Sequence, residues 1–325
     1  MPDFGGKSNA RGAALGLTSM AIYATHDVII KHLGQTYSPV QIVFFAALLS
    51  FPLLSVILLN DKREGSLRPV HPGWVVGRVV TTVVTGLCAF YAFSTLPLAQ
   101  VYPLLFAMPL LVTVFSIPIL GERVGIHRWA AVILGLIGVV IVVRPGQAEL
   151  APGHFAAMTA AVTGALASVI VRKIGSEERS VVLLLSPLLG NVIVMAILLP
   201  FVWQPLQITD LGLMAVIAMF GLTASFLQIL AYRAGEAAIV APMQYSQILW
   251  AVFYGWIIFH ESVDIPTLVG AGVVILSGIY IVIRETRVST NQPVLRTRGR
   301  SETATAPRSS LLGRVLGLRA PNSRS

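Results

Sequence analysis

The sequence predicts an all-α integral membrane protein with ten transmembrane helices in two inverted five-helix repeats. Three observations lead there. Only 11% of the 325 residues are charged and 55% are apolar, against about 25% charged in soluble domains. Apolar runs of about 20 residues, long enough as helices to cross a hydrocarbon core of about 30 Å, recur ten times. Short motifs of the first half return in the second at a nearly constant offset.

The expected spans cover residues 12–33, 39–59, 74–95, 99–119, 126–143, 153–174, 180–202, 209–231, 236–259 and 265–284. Lys7 and Arg11 ahead of span 1 give it the outline of a secretory signal, but its length and its counterpart in span 6 mark a retained helix. Span 1 carries His26, Asp27 and Lys31, while spans 2, 7 and 8 rest on length and apolarity. Span 3 begins close to Arg78, read as snorkelling, and includes Tyr91 and Cys88, the only cysteine. One cysteine makes no intrachain disulfide and no multi-thiolate metal site. Span 4 contains Pro103 and ends before Glu122; span 5 completes the first half. Span 6 closes on Arg172 and Lys173, span 9 contains Pro242 and ends before Glu261, and span 10 holds "GAG" at 270–272, read as close helix packing.

"VIIKHLG" at 28–34 matches "VIVRKIG" at 169–175 at an offset of 141, and Pro103 and Glu122 recur as Pro242 and Glu261 at an offset of 139. A repeated unit of five helices is odd, so its second copy crosses in the opposite sense. The expected organisation is an N-terminal segment over 1–11, repeats over 12–146 and 147–285, and a basic tail over 286–325.

The net charge of +9 is mostly that tail, where eight Arg stand against one Glu from Thr286 onward. Its Ser-, Thr-, Pro- and Arg-rich composition reads as disordered and suited to anionic lipid headgroups, with "LLGRVLGLR" at 311–319 as a small interfacial helix. Nucleic acid is not an expected partner. Before Arg284, twelve Lys and Arg fall on the side of the termini and only Lys31 and Arg144 on the other. That bias orients both termini to the cytoplasm of a bacterial-type inner membrane.

Asp27 and Lys31, at i and i+4, suit a same-face ion pair. Two readings stay open: Lys31 snorkels with Asp27 neutralising it, or the acid, with His26 beside it, faces a cavity and couples transport, since a carboxylate in mid-membrane costs about 2.5–3.5 kcal/mol on insertion scales. On span 9, Gln244, Gln247, Ala251 and Tyr254 share one face, flanked by Tyr245 and Trp250. This stripe, with Tyr91, is a substrate-binding set or an interhelical hydrogen-bond seam. Pro103 and Pro242 are expected to loosen their helices, as hinges or simple kinks. Glu122 and Glu261, at helix junctions, read as structural.

Enzymatic motifs fail. "GGKS" at 5–8 lacks the first glycine and the strand of a phosphate loop, "HES" at 260–262 lacks a second His, and the six His are scattered. No cofactor and no metal site are expected.

Several stretches resemble the drug/metabolite transporter superfamily, specifically its EamA-type members: "GWVVGRVV", "FYAFSTLPLAQVYPLLFAMPLL", "LGERVGIHRWAAVILGLIGVVIVVRPG" and, in the second half, "MQYSQILWAVFYGWIIFHE". An acid followed four residues later by Lys, as in "HDVIIKHLG", resembles the pattern of S-adenosylmethionine and related carriers, with His26 where those carry Asn. The resemblance implies a secondary active carrier of a small polar organic metabolite (amino-acid-like, nucleoside-like or S-adenosylmethionine-like), working without ATP by alternating access, with proton coupling as an option. A membrane-embedded enzyme or a channel is the alternative.

Overall fold

The computed structural model describes residues 9–59, 68–122, 124–145, 151–175, 177–235 and 237–290. The tail beyond residue 290, with its expected interfacial helix, and "GGKS" lie outside them. Among the described residues there are twelve α-helices and no β-strand. They are α1 (Asn9–Leu33), α2 (Pro39–Leu59), α3 (Pro72–Thr95), α4 (Leu98–Leu105), α5 (Met108–Leu120), α6 (Ile126–Val143), α7 (Pro152–Ile174), α8 (Ser180–Leu198), α9 (Ile208–Ala234), α10 (Ala237–Val240), α11 (Ser246–Phe259) and α12 (Ile265–Thr290). The compact unit they build ends at Thr286.

Seven helical stretches, with Leu98–Leu120 taken as one, are long and apolar enough to cross a membrane, and Pro39–Pro52 and Ile265–Ile281 are shorter apolar stretches. Spans 2 and 5 coincide with α2 and α6. On α6 the large side chains of Ile133, Ile137 and Val140 are exposed, a stripe at helical spacing that suits lipid.

Spans 4 and 9 depart from the expectation of single helices. The break after Leu105 follows from Pro109, which has no N–H to offer the Leu105 carbonyl; the amides of Phe106 and Ala107 turn back to Tyr102 and Leu104 instead. In span 9 a 3-10 turn over Ala241–Tyr245, with Pro242 near its start, separates α10 from α11. The loosening expected at Pro103 and Pro242 is therefore a full break in each span, although Pro103 itself sits inside α4.

The helices pair as α1 along α9, α3 along α7, α2 against α8 and α4 against α11. At one crossing α6 and α12 touch backbone to backbone: a Cβ on Gly270 would lie 2.6 Å from the Gly138 carbonyl oxygen, and one on Gly138 would lie 2.8 Å from that of Gly270. Such approach is open to glycine alone. Gly272 has nothing within 4 Å, so of the two glycines in "GAG" only the first packs closely, beside the buried Ala271. Arg78 is half-buried on α3 and its Nη1 is buried without a hydrogen-bond partner.

Candidate functional site

Asp27 and Lys31 share a face of α1 and are each 7% exposed, yet they do not pair. Both Asp27 oxygens are taken: Oδ1 meets His26 Nδ1 at 2.8 Å, and Oδ2 accepts from the Tyr102 hydroxyl at 2.6 Å. Lys31 turns the other way. Its Nζ lies 2.6 Å from Glu261 Oε1, donates to the Leu96 carbonyl at 2.5 Å and stands 5.1 Å from the centre of the Phe259 ring. Glu261 Oε2 in turn accepts from the Leu98 amide at 3.2 Å, where the first turn of α4 favours a carboxylate. The same-face ion pair expected from spacing is thus replaced by a long-range one, in which the buried ammonium gains both a carboxylate and the Leu96 carbonyl.

A second ion pair mirrors the first. Arg172 Nη2 lies 2.6 Å from Glu122 Oε1, and the neighbouring Lys173 donates to the Ile119 carbonyl at 2.9 Å. Glu122 and Glu261 stand 139 residues apart, and Lys31 and Arg172 stand 141 apart. Each half supplies a cation to the other half's acid. Leu98–Leu120 carries the chain from the neighbourhood of Lys31 to Glu122, about 35 Å of helix, so the pairs occupy opposite ends. Their environments differ. Side-chain exposure is 8% and 16% for Lys31 and Glu261, but 50% and 33% for Arg172 and Glu122.

Two hollows accompany this asymmetry. A cavity of about 340 Å³ lies between α1, α2, α3, α8 and α9, with His26, Tyr23, Phe90, Asn191 and Ser225 in its lining. A crevice of about 290 Å³ runs past Met108, Thr113, Ser168 and Arg128 to the Arg172–Glu122 pair. The residues that match Ser168 and Arg172 in the first half are Asp27 and Lys31, and those that match Pro109 and Val112 in the second are Ile248 and Ala251. These four are buried, so the seam that is parted at the Arg172 end is packed at the Lys31 end.

Of the residues singled out in the sequence, His26 lines the larger cavity; Asp27 sits behind it, held by Tyr102. The span 9 stripe and Tyr91 are not in that lining. Gln244 and Gln247 are half-buried, Tyr254 shares a 3.0 Å hydrogen bond with Thr25, Trp250 stacks on Tyr254 at 6.1 Å, and Tyr245 packs against Phe106. Tyr23, Asn191, Ser225 and Tyr102 were not anticipated. Among the described residues no three metal-ligating side chains gather.

The model of the EamA-like transporter family matches the chain twice, over residues 10–144 and 151–284. The chain belongs to the EamA-like transporter family. This EamA protein is accordingly a multi-pass membrane transporter and not an enzyme. It is 23% identical to the S-adenosylmethionine uptake transporter of Rickettsia bellii, over 86% of this chain and 96% of that one. It is also 23% identical to the pseudopaline exporter CntI of Pseudomonas aeruginosa, over 82% and 94%, and 26% identical to a riboflavin transporter of Vibrio cholerae, over 75% and 84%. A crystal structure with 16% identity superposes with a TM-score of 0.58 over 86% of this chain and 99% of that one, a likeness of fold.

Proposed function

We propose that this EamA-family protein is a secondary active transporter of a small polar organic metabolite, amino-acid-like, nucleoside-like or S-adenosylmethionine-like. It works by alternating access in two inverted repeats, 12–146 and 147–285, of a bacterial inner membrane. The observation that carries this reading is the exchange of partners between Lys31–Glu261 and Arg172–Glu122. Equivalent residues of two copies that exchange contacts lie about a two-fold axis, and five helices per copy place that axis in the membrane plane. The crossing of α6 and α12 supports it. Gly135 approaches Ser277 as Gly138 approaches Val274, and 135 and 274, like 138 and 277, are 139 apart.

Each pair is then a latch for one end. The buried Lys31–Glu261 pair closes its end, while the exposed Arg172–Glu122 pair borders an open crevice. The second state inverts this, exposing Lys31–Glu261 together with Gln244 and Gln247 on the seam beside it, and the breaks near Pro103 and Pro242 supply the hinges. With both termini cytoplasmic, the open crevice faces the cytoplasm.

His26 and Asp27 supply a coupling element. The imidazole contacts a buried carboxylate through Nδ1 and turns Nε2 toward the cavity, near Gly221, which places the two groups in line for passing a proton. The relatives named for S-adenosylmethionine, pseudopaline and riboflavin support an organic cargo, moved in either direction within the family. The test is uptake by the purified full chain in proteoliposomes. Saturable, gradient-driven accumulation of a zwitterionic or heterocyclic metabolite is expected; passage that never saturates would indicate a channel and retire the proposal.

A further inference from the structure

The lining of the larger cavity is chemically one-sided. Among its fifteen residues there is no Lys, Arg, Asp or Glu. Its hydroxyls are already committed: Ser50 donates to the Ala46 carbonyl at 2.7 Å, Ser225 to the Gly221 carbonyl at 2.7 Å, and Tyr23 and Ser225 bond each other at 2.6 Å. Beyond the acceptor lone pairs of those hydroxyls, two polar groups remain to address a ligand. Asn191 Oδ1 is buried without a hydrogen-bond partner, an arrangement that a folded protein normally avoids. His26 Nε2 lies 3.8 Å from where a Cβ of Gly221 would stand, with Nδ1 engaged by Asp27. The imidazole is held edge-on by Tyr23 at 6.4 Å and Phe90 at 6.2 Å, so its position is set before a ligand arrives.

A volume of about 340 Å³ is at the small end of ligand sites and matches a single fused-ring heterocycle or nucleoside. Apolar walls from α2, α8 and α9 suit the faces of such a ring. Asn191 Oδ1 accepts from an N–H edge, and His26 Nε2 accepts when neutral and donates when protonated. A phosphate finds no Lys or Arg here, a charge on His26 is already matched by Asp27, and an unpaired anion in an apolar site is strongly disfavoured. Asp27, behind His26, adds a negative charge to the same region.

We infer that this cavity takes a flat, nitrogen-bearing heterocycle without net negative charge, read through Asn191 and His26, and rejects its phosphorylated analogues. The inference rests on the transport reading above and names the cargo class of that site.

The experiment uses the full chain in lipid nanodiscs and two matched pairs of probes: adenosine with adenosine monophosphate, and riboflavin with flavin mononucleotide. Within each pair only the phosphate differs. At least one uncharged member is expected to bind, with its phosphorylated partner weaker by about tenfold or more. Asn191→Leu, whose thermal stability is checked alongside, is expected to weaken the uncharged member by about tenfold, because an N–H edge then meets no acceptor. Gly221→Leu, which fills the cavity beside His26, is expected to abolish binding. The comparison on the unmodified protein depends on no variant folding. Failure of both uncharged probes, equal or tighter binding of a phosphorylated one, or indifference to a folded Asn191→Leu each overturns the inference. Saturable proteoliposome uptake of a phosphorylated probe would overturn it while leaving transport intact; binding undiminished in Gly221→Leu would place the site elsewhere.

Discussion

Phe106 and Tyr245 meet edge to face, ring centres 5.0 Å apart and planes at 80°, and each stands where its own helix breaks. Phe106 caps the end of α4 and Tyr245 precedes the first turn of α11. They are 139 residues apart, so two interruptions at the same place in the two halves lean on one another. A broken helix lets the segments on either side tilt separately, and freed carbonyls are tolerated where protein surrounds them. In the proposed alternating-access cycle this contact would pass a tilt of α4 against α5 to α11.

Removing the ring tests that pivot. Tyr245 is 4% exposed, so Tyr245→Ala should lower stability by about 3–5 kcal/mol through the cavity it leaves, whereas Tyr245→Phe keeps the contact with Phe106. Uptake and melting temperature should survive in Tyr245→Phe and fall in Tyr245→Ala. If both variants behave alike, the ring contact has no mechanical role.

The two ion pairs should respond unequally to neutralisation. Breaking a buried pair costs about 3–5 kcal/mol because a charge stays behind unpaired, and every 1.4 kcal/mol is about a tenfold population change. An exposed pair contributes about 0–1 kcal/mol. Glu261→Gln should therefore open the Lys31 end far more than Glu122→Gln closes or opens the other. A cysteine in place of Gln247, in a Cys88→Ser background, reports this: its labelling by an impermeant maleimide should accelerate with Glu261→Gln alone. Exchanging the charges, Lys31→Glu with Glu261→Lys, should restore protection, and labelling indifferent to Glu261→Gln would show that this pair does not hold the end shut.

Asp27→Asn preserves volume but removes the charge that faces His26, and it puts an amide N–H₂ opposite either His26 or the Tyr102 hydroxyl. Gradient-driven accumulation should drop by about tenfold or more, as expected for an ionisable group on a coupling route, while exchange of substrate across the membrane without a gradient continues. Tyr102→Phe, which leaves the carboxylate and the His26 contact, should have the milder effect. Retained proton-driven accumulation in Asp27→Asn would assign the dyad to packing.

Spans such as 39–59 and 126–143 were legible because hydrocarbon thickness dictates the length of an apolar run. The breaks in spans 4 and 9 were announced by proline, but the decisive one in span 4 is Pro109, which acts on the Leu105 carbonyl four residues upstream. Lys31 shows where sequence reasoning stops. Spacing of four identifies which side chains share a helix face, not which of them a carboxylate 230 residues away will claim. The offsets of 139 and 141 contained the matched pairs, yet an offset states equivalence and not contact. Asn191 had a visible signal, a lone amide in the apolar run of span 7, whereas the depth of Tyr102 beside Pro103 emerges only when α4 is seated against α7 and α11.

The crossing of α6 and α12 predicts that two alanine substitutions two residues apart act with opposite sign. At Gly270 a Cβ would stand 2.6 Å from the Gly138 carbonyl oxygen, 2.6 Å from Val142 Cγ2 and 3.0 Å from the Val142 amide. Backbone on the facing helix does not yield as a side-chain tip does, so α6 and α12 must separate, and overpacking of this kind costs about 1–3 kcal/mol. At Gly272 nothing lies within 4 Å, and alanine there gains about 0.5–1 kcal/mol over glycine through helix propensity. Gly270→Ala should therefore melt below the parent protein and Gly272→Ala at or above it, in the same detergent. Gly138→Ala approaches Gly270 from the other side, at 2.8 Å, and should reproduce the loss. Because this crossing repeats its own contacts about the proposed two-fold axis, alternating access as proposed would use it as the fixed point between the halves, and Gly270→Ala should then slow saturable uptake as well as lower the melting temperature. A Gly270→Ala protein as stable and as active as its parent would show that the two helices do not pass this closely and would remove the crossing from the hinge.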